Sequence, residues 1–427
     1  GGICGSAMAC GSSLAAAPTS AVNDAGELAQ DAAAVDAGPP VDNGAPSDQF
    51  PAPHPAFPTV QSYGGTVLAS PRIQPIFFPG DPMSDALTAF TQALHASTYW
   101  RDATSEYGVG DITTAAPIVV PTSDTALTSP MTITDDQIQA FIIAHLDGTH
   151  ADWGTPDPNT IYTVFYPAGV TTTMELGSSC VEFGGYHNEL KVGAVSVPYA
   201  VLPRCDELAN LHGQDVTTGA ASHEFIEAAT DPFPNTNPAY ASADEAHLFY
   251  DLMPLSEVGD MCAYESDAFF KPDDVGFTVQ RTWSNKAAAA GQAPCAPALD
   301  SSIYFAAVPV MNDEVNLDFG AQYGQYPVSG VAVPLAQSVT IDLDLFSEGA
   351  TGAFYVKAYD VPSYNGKSAE LSFSFDRQSG QNGEKLHLTI TRVAQGTQYG
   401  GTEFAVLAYS DPTHYHQWMG WASNKKE

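Results

Sequence analysis

The hydrophobic pattern of the chain changes character twice. From residue 12 to about 58 it carries Ala, Pro, Gly, Asp and Ser, with no Lys or Arg and almost no large aliphatic side chain. Such a stretch cannot bury enough apolar surface to offset its ordering entropy, which predicts an acidic tether over residues 18–60. The run Arg72-Ile73-Gln74-Pro75-Ile76-Phe77-Phe78 then predicts a first strand. Ser84 is placed to cap a helix whose Leu87, Phe90 and Leu94 share a face. Thr134 with Gln137 forms a capping box that opens a second helix through Ile138, Phe141, Ile142 and Leu146. Strand-like runs follow at 161–166 and 192–202. This mixture predicts one α+β domain over residues 61–298.

After residue 300 the helical period disappears. Val339, Ile341, Leu343 and Leu345 alternate with polar residues, and so do Leu371, Phe373 and Phe375, then Leu386, Leu388 and Ile390. Gln381-Asn382-Gly383 separates the last two runs as a hairpin signal. Short alternating strands at this spacing predict an all-β, Ig-like sandwich over residues 299–427.

Composition narrows the partners. Among 427 residues, 14 Lys and Arg face 49 Asp and Glu, a formal net charge of -35. Nucleic acid and anionic membrane surfaces are poor partners, because binding phosphate needs clustered cations, and no nucleic-acid partner is expected. With 44% hydrophobic and only 15% charged residues, the composition is that of a folding chain rather than a polyanion. No uninterrupted apolar run reaches 18 residues, so no transmembrane span is expected.

Residues 1–17 are small and apolar and read as the remnant of an export signal. Within them Ala7-Met8-Ala9-Cys10-Gly11 resembles a lipobox, which would anchor Cys10 to lipid; the alternative is a plain signal remnant. Four further cysteines suit two disulfides in an exported protein, and the pairs Cys180 with Cys205 and Cys262 with Cys295 close the shortest loops. The expected location is extracellular or on a bacterial cell surface, as a monomer.

Chemistry concentrates in residues 217–232, Thr-Thr-Gly-Ala-Ala-Ser-His-Glu-Phe-Ile-Glu-Ala-Ala-Thr-Asp-Pro. This segment predicts a helix with hydroxyl residues at its front, Ala221, Phe225, Ala228 and Ala229 along one side, and Pro232 as its stop. His223 and Glu227 lie four apart, on one face, about 5 to 6 Å apart at Cβ, and can grip one metal ion. Glu224 stands beside the first ligand. The pattern is that of the HExxH zincins with Glu in place of the second His, in which the carboxylate beside the first ligand acts as general base. A third ligand is needed. Asp231 at the helix end is one option, although it also suits the start of the Asp231-Pro232 turn. Glu257 and Asp260, in Leu255-Ser256-Glu257-Val258-Gly259-Asp260-Met261-Cys262, are the others, with Glu257 preferred. His187, in Gly184-Gly185-Tyr186-His187, is a candidate donor to an oxyanion, and Tyr186 is its neighbour in that role. His414 and His416 have the spacing of one strand face.

Ser222-His223-Glu224, Glu227-Ala228, Thr230-Asp231-Pro232 and the 257–262 run resemble a group of exported microbial zincin-like proteins. Phe183-Gly184-Gly185-Tyr186-His187 and Val279-Gln280-Arg281-Thr282-Trp283-Ser284-Asn285 share that resemblance. A more remote one is to the phosphate-induced or exordium proteins of plant cell walls. The resemblance spans residues 63–295 and implies a zincin-like fold and a bound metal. The resemblance does not establish a substrate; the expectation drawn from the motif is a zinc endopeptidase acting on protein or peptide, followed by a sandwich that binds polymer or cell surface or else shields the catalytic domain. Glu in the second ligand position leaves other divalent cations open. The alternative is a non-catalytic surface or matrix protein with a structural metal.

Overall fold

The computed structural model describes residues 42–122, 132–174, 177–252, 256–299 and 303–425. The expected signal remnant, Cys10 and residues 18–41 of the tether lie outside the described residues. The fold is mixed α/β with mostly β content.

The first half is built on a mixed sheet. Strands Arg72–Phe77, Thr160–Phe165 and Val195–Leu202 run parallel, and Tyr186–Val192 joins antiparallel at one edge. Two short strands, Thr113–Thr114 and Ile118–Val119, pair in parallel with the first. Near-continuous apolar runs in these strands mean that both faces are covered. Ile73, Phe77, Ile161, Phe165, Ala200 and Leu202 face one core, shared with the helix Gln214–Thr230. Tyr162, Val164, Tyr186, Val197, Tyr199 and Val201 face the other, covered by the helix Asp135–His145 with its Thr134–Gln137 capping box.

Several local expectations shift. The run 192–202 is not one strand: the chain turns at Gly193, φ 62°, and the residues before it become the antiparallel edge strand. Ser84 is the first residue of the helix Ser84–Ala93 rather than its cap, and its hydroxyl donates to the Asp81 carbonyl. The site helix starts at Gln214, after Gly213 with φ 55°, so Thr217 and Thr218 lie inside it. It is buried on every side from Val216 to Thr230, which small residues such as Gly219, Ala220, Ala221, Ala228 and Ala229 permit.

Two sheets form the second half. One has the order Phe305–Pro309, Ser338–Ser347, Lys385–Arg392, Leu371–Phe375; the other contains Gln325–Ala332, Gly401–Asp411, His414–Ser423 and Phe354–Asp360. Their inner faces bury Leu343, Leu345, Leu386 and Leu388 against Val356, Phe404 and Val406. Part of the outer face of the second sheet is covered by the first half, while Tyr355 and Lys357 on the strand Phe354–Asp360 remain exposed. Leu407, Trp418, Met419 and Trp421 continue the core that holds the site helix, through Phe249 and Tyr250. One hydrophobic core therefore crosses residue 299.

The tether expectation is corrected for residues 42–60. Asn382 of the expected hairpin accepts from Ala52 N and Ser347 N and donates to the carbonyls of Ser47 and Gln49. Phe57 lies against Trp418, ring centroids 4.6 Å apart, and His54 stacks on Phe346 at 4.0 Å. Few large side chains suffice here because the sandwich supplies the apolar surface that this segment lacks. Val60–Ser62 then pairs antiparallel with Tyr240–Ala243.

Both expected disulfides are present, Cys180–Cys205 and Cys262–Cys295. They close loops of 25 and 33 residues, worth about 3 to 4 kcal/mol each in the chain-entropy account. Two bridges fit an oxidising compartment. Among the described residues no helix is long and apolar enough to cross a membrane.

Candidate metal centre

Four elements converge on one point. The site helix contributes His223, Glu224 and Glu227; the edge strand contributes His187, paired with Ala200; the segment ending in the short helix Asp260–Cys262 contributes Glu257 and Asp260; Val279–Gln280 contributes Gln280. Side chains alternate along the edge strand, so His187 points toward the helix and Tyr186 to the opposite face. There Tyr186 and Tyr199 donate from their hydroxyls to Asp135 Oδ1. Tyr186 is thereby removed from the site.

Gln280 fixes the orientation of His223. Its amide donates to the Gly259 carbonyl at 2.7 Å, which turns its oxygen toward His223 Nδ1 at 3.1 Å. The proton of the neutral imidazole therefore sits on Nδ1, and Nε2 faces the carboxylates. His223 Nε2 lies 2.9 Å from Glu227 Oε2 and 3.5 Å from Asp260 Oδ1. Glu227 Oε1 accepts the backbone N–H groups of Gly259 and Asp260, both at 3.1 Å, which leaves Oε2 directed at the imidazole. Two lone-pair atoms at this separation need a proton or a cation between them.

His187 occupies the other side, its Nδ1 3.5 Å from Glu224 Oε2 and 3.7 Å from Glu227 Oε2, its Nε2 3.7 Å from Glu257 Oε1. Ligand atoms of His223, Glu227 and Asp260 lie within 4.8 Å of one another, as do those of His187, Glu227 and Glu257. Both sequence candidates for a third carboxylate thus reach Glu227, Asp260 beside His223 and Glu257 beside His187. Asp231 belongs to neither group. It ends the helix and accepts the Ala239 N–H at 2.7 Å.

None of His187, His223, Glu224, Glu227, Asp231, Glu257 and Asp260 is more than 1% exposed. Burial, and then the Glu227 carboxylate, push Glu257 and Asp260 well above the usual carboxylate range. Burial also raises Glu224, against the pull of His187. Glu227 goes the other way: burial would raise it, but His223 and the surrounding donors hold it below its ordinary value. Burial disfavours the His187 imidazolium, yet Glu224 and Glu227 outweigh it and raise that group. Five carboxylates thus share a dry space with two imidazoles. The neighbouring arginines are committed elsewhere, Arg204 to Asp81 and Arg281 to Asp267. Leaving buried carboxylates without a counter-charge costs several kcal/mol each. The oxygen-rich donor set with one imidazole on each side fits a divalent cation, including zinc and harder ions.

Two residues at this centre carry no signal in their spacing. Gln280 is one uncharged amide in a short buried strand. Gly259 matters through what it lacks: a Cβ there would stand 2.7 Å from His223 Nδ1. Gly185 does the same on the other side, where a Cβ would meet Glu224 Cγ at 3.0 Å. His414 and His416 lie far along the chain at the junction with the sandwich, where His416 Nδ1 meets Glu265 Oε2 at 2.7 Å.

No family model matches this chain, and no curated protein sequence matches it. Among solved structures, a β-glucosidase from Listeria innocua in complex with glucose aligns with 85% of this chain at 8% identity and a TM-score of 0.15. The chain covers 47% of that protein, and a likeness at this level carries no argument about fold or function.

Proposed function

We propose that the chain is a metal-dependent hydrolase of the zincin-like kind, most simply an exported zinc endopeptidase. The observation that carries this reading is Glu224. It belongs to neither ligand group, it is fully buried, and its oxygens make no hydrogen bond among the described residues beyond the long 3.5 Å approach of His187 Nδ1 to Oε2. Holding such a carboxylate is costly unless it has a chemical task. His223, Glu227 and Asp260 would hold the cation, with Glu257 approaching from the side of His187. A divalent cation supplies Lewis acidity when bound. Glu224 accepts the proton of the attacking water and passes it to the leaving amine, its raised affinity for protons suiting both transfers. His187, 3.5 Å away, orients that carboxylate.

A structural-metal protein is the second reading, and the closure of the centre favours it: no side chain of the cluster is more than 1% exposed. In that reading the ion stabilises the junction of helix, edge strand and disulfide-braced segment without turnover. The sandwich would then serve attachment to a surface polymer in either case.

Glu224→Gln separates the two. It keeps shape while removing the proton acceptor, so metal content should stay at the wild-type level while hydrolysis of an unfolded protein falls by about two orders of magnitude. A wild type that holds zinc and cleaves no peptide or ester leaves the structural-metal reading standing.

A further inference from the structure

The two ligand groups overlap in one residue only. Glu227 is common to His223 with Asp260 and to His187 with Glu257. Its Oε1 is taken by two backbone N–H groups, so Oε2 is the atom that both sides reach, 2.9 Å from His223 Nε2 and 3.7 Å from His187 Nδ1. Resting on the metal reading above, we infer that the centre holds two divalent cations, one on the His223–Asp260 side and one on the His187–Glu257 side, with Glu227 shared between them.

Orphaned atoms are the first support. A single ion between His223, Glu227 and Asp260 does nothing for His187 and Glu257. Both ring nitrogens of His187 and both oxygens of Glu257 lack a hydrogen-bond partner among the described residues, and each side chain is 1% exposed. Buried polar groups are seldom left in this state. Charge is the second. Once cations displace the protons that burial favours on Glu224, Glu257 and Asp260 and both imidazoles are neutral, as ligation requires, the carboxylates of Glu224, Glu227, Asp231, Glu257 and Asp260 sum to -5; one divalent cation leaves -3, two leave -1.

A third group of possible ligands shows what balance by protein looks like. Glu265, Asp267 and His416 also cluster, but Arg281 lies 2.7 Å from Asp267 and His416 hydrogen-bonds Glu265 at 2.7 Å. There the chain supplies its own cation. At the buried centre no arginine or lysine pairs with Glu224, Glu227, Glu257 or Asp260 among the described residues.

The test is metal stoichiometry on the full chain, stripped with chelator, reloaded with Zn2+ or with Mn2+, and freed of loose ions before elemental analysis. Two ions per chain are expected in the wild type, and the Mn2+ form should show the resonance of an exchange-coupled pair instead of an isolated six-line signal. His187→Ala and the more conservative Glu257→Gln should each lower the count to one while thermal melting remains cooperative. One ion per wild-type chain overturns the inference and leaves the metal reading intact. No retained ion in the wild type removes the metal reading as well. Two ions in both variants would place the second elsewhere and also overturn the inference.

Discussion

Gly259 presses its backbone against Glu227: its N–H donates to Glu227 Oε1 at 3.1 Å, and a Cβ on it would stand 2.8 Å from that oxygen. Its φ of -76° is one that any residue adopts, so the constraint is space and not conformation. The segment carrying Glu257 and Asp260 comes close enough to the site helix to bind its carboxylate only because this position has no side chain. Three residues further on, Cys262 is tied to Cys295, which keeps the segment there.

Gly259→Ala should therefore damage the centre while leaving local backbone preference untouched. Relief of the overlap must push away either His223 or the 257–262 segment, at a cost of about 1 to 3 kcal/mol. Metal affinity measured by chelator competition should fall about tenfold or more, and the melting temperature should drop. Gly352→Ala, where nothing lies within 4 Å of the new Cβ, is the control and should change neither. Wild-type affinity and melting in Gly259→Ala would show that the contact is not a constraint.

Gln280 is expected to act on the metal through His223 and, by its bond to the Gly259 carbonyl, through the segment that carries Glu257 and Asp260. Gln280→Ala frees the ring to rotate and to exchange its tautomer, because Nδ1 loses its acceptor at 3.1 Å. Loss of such an outer partner of a ligating histidine lowers metal affinity by about 10- to 100-fold. Titration calorimetry with Zn2+ on the stripped protein measures it. An unchanged affinity would mean that the His223 ring is held by packing instead.

The helix that carries His223, Glu224 and Glu227 was legible in the sequence because a fixed i, i+4 spacing and an adjacent carboxylate are local features. The disulfide pairs were legible because short loops limit the choices. Gln280 and Gly259 were not, since their roles depend on which strand and which turn reach the helix, a matter of tertiary approach. The same holds for residues 42–60. Their own composition predicts a tether, and only the surface around Asn382, more than 300 residues away, gives them something to bury against. The run 192–202 misled for another reason: both arms of a hairpin are apolar when a sheet is covered on both faces, so only Gly193 marks the turn.

Asn382→Ala tests the docking of that segment. The substitution removes the partners of Ala52 N, Ser347 N and the carbonyls of Ser47 and Gln49 in one step. The cost is expected at about 3 kcal/mol, since buried backbone groups are left unsatisfied. Urea denaturation should show the lower midpoint, and limited proteolysis should now cut between residues 42 and 58. Resistance there equal to wild type would show that Phe57 and His54 hold the segment without the amide.

The last prediction concerns pH and a carboxylate remote from the metal ligands. Asp251 accepts from Ser242 Oγ and Ala243 N, yet burial dominates and raises it from 3.8 to about 7. A folded value above the unfolded one means that the folded chain binds the proton more tightly. This contribution to stability is fully present below about pH 4 and is lost as the pH rises through about 7. The shift corresponds to at most about 4 kcal/mol, at about 1.4 kcal/mol per pH unit. Glu403 lies close enough for the Asp251 charge to raise it further, so ionising Asp251 also burdens the junction with the sandwich. Asp251→Asn fills the same space, accepts from Ala243 N, and has no proton to lose. Stability of the wild type should fall between about pH 4 and pH 7, and the difference between variant and wild type should grow in favour of the variant over the same window. Chemical denaturation of both proteins at a series of pH values, after chelation to remove metal effects, measures that difference. A difference that stays constant across the window would show that Asp251 titrates as an ordinary carboxylate.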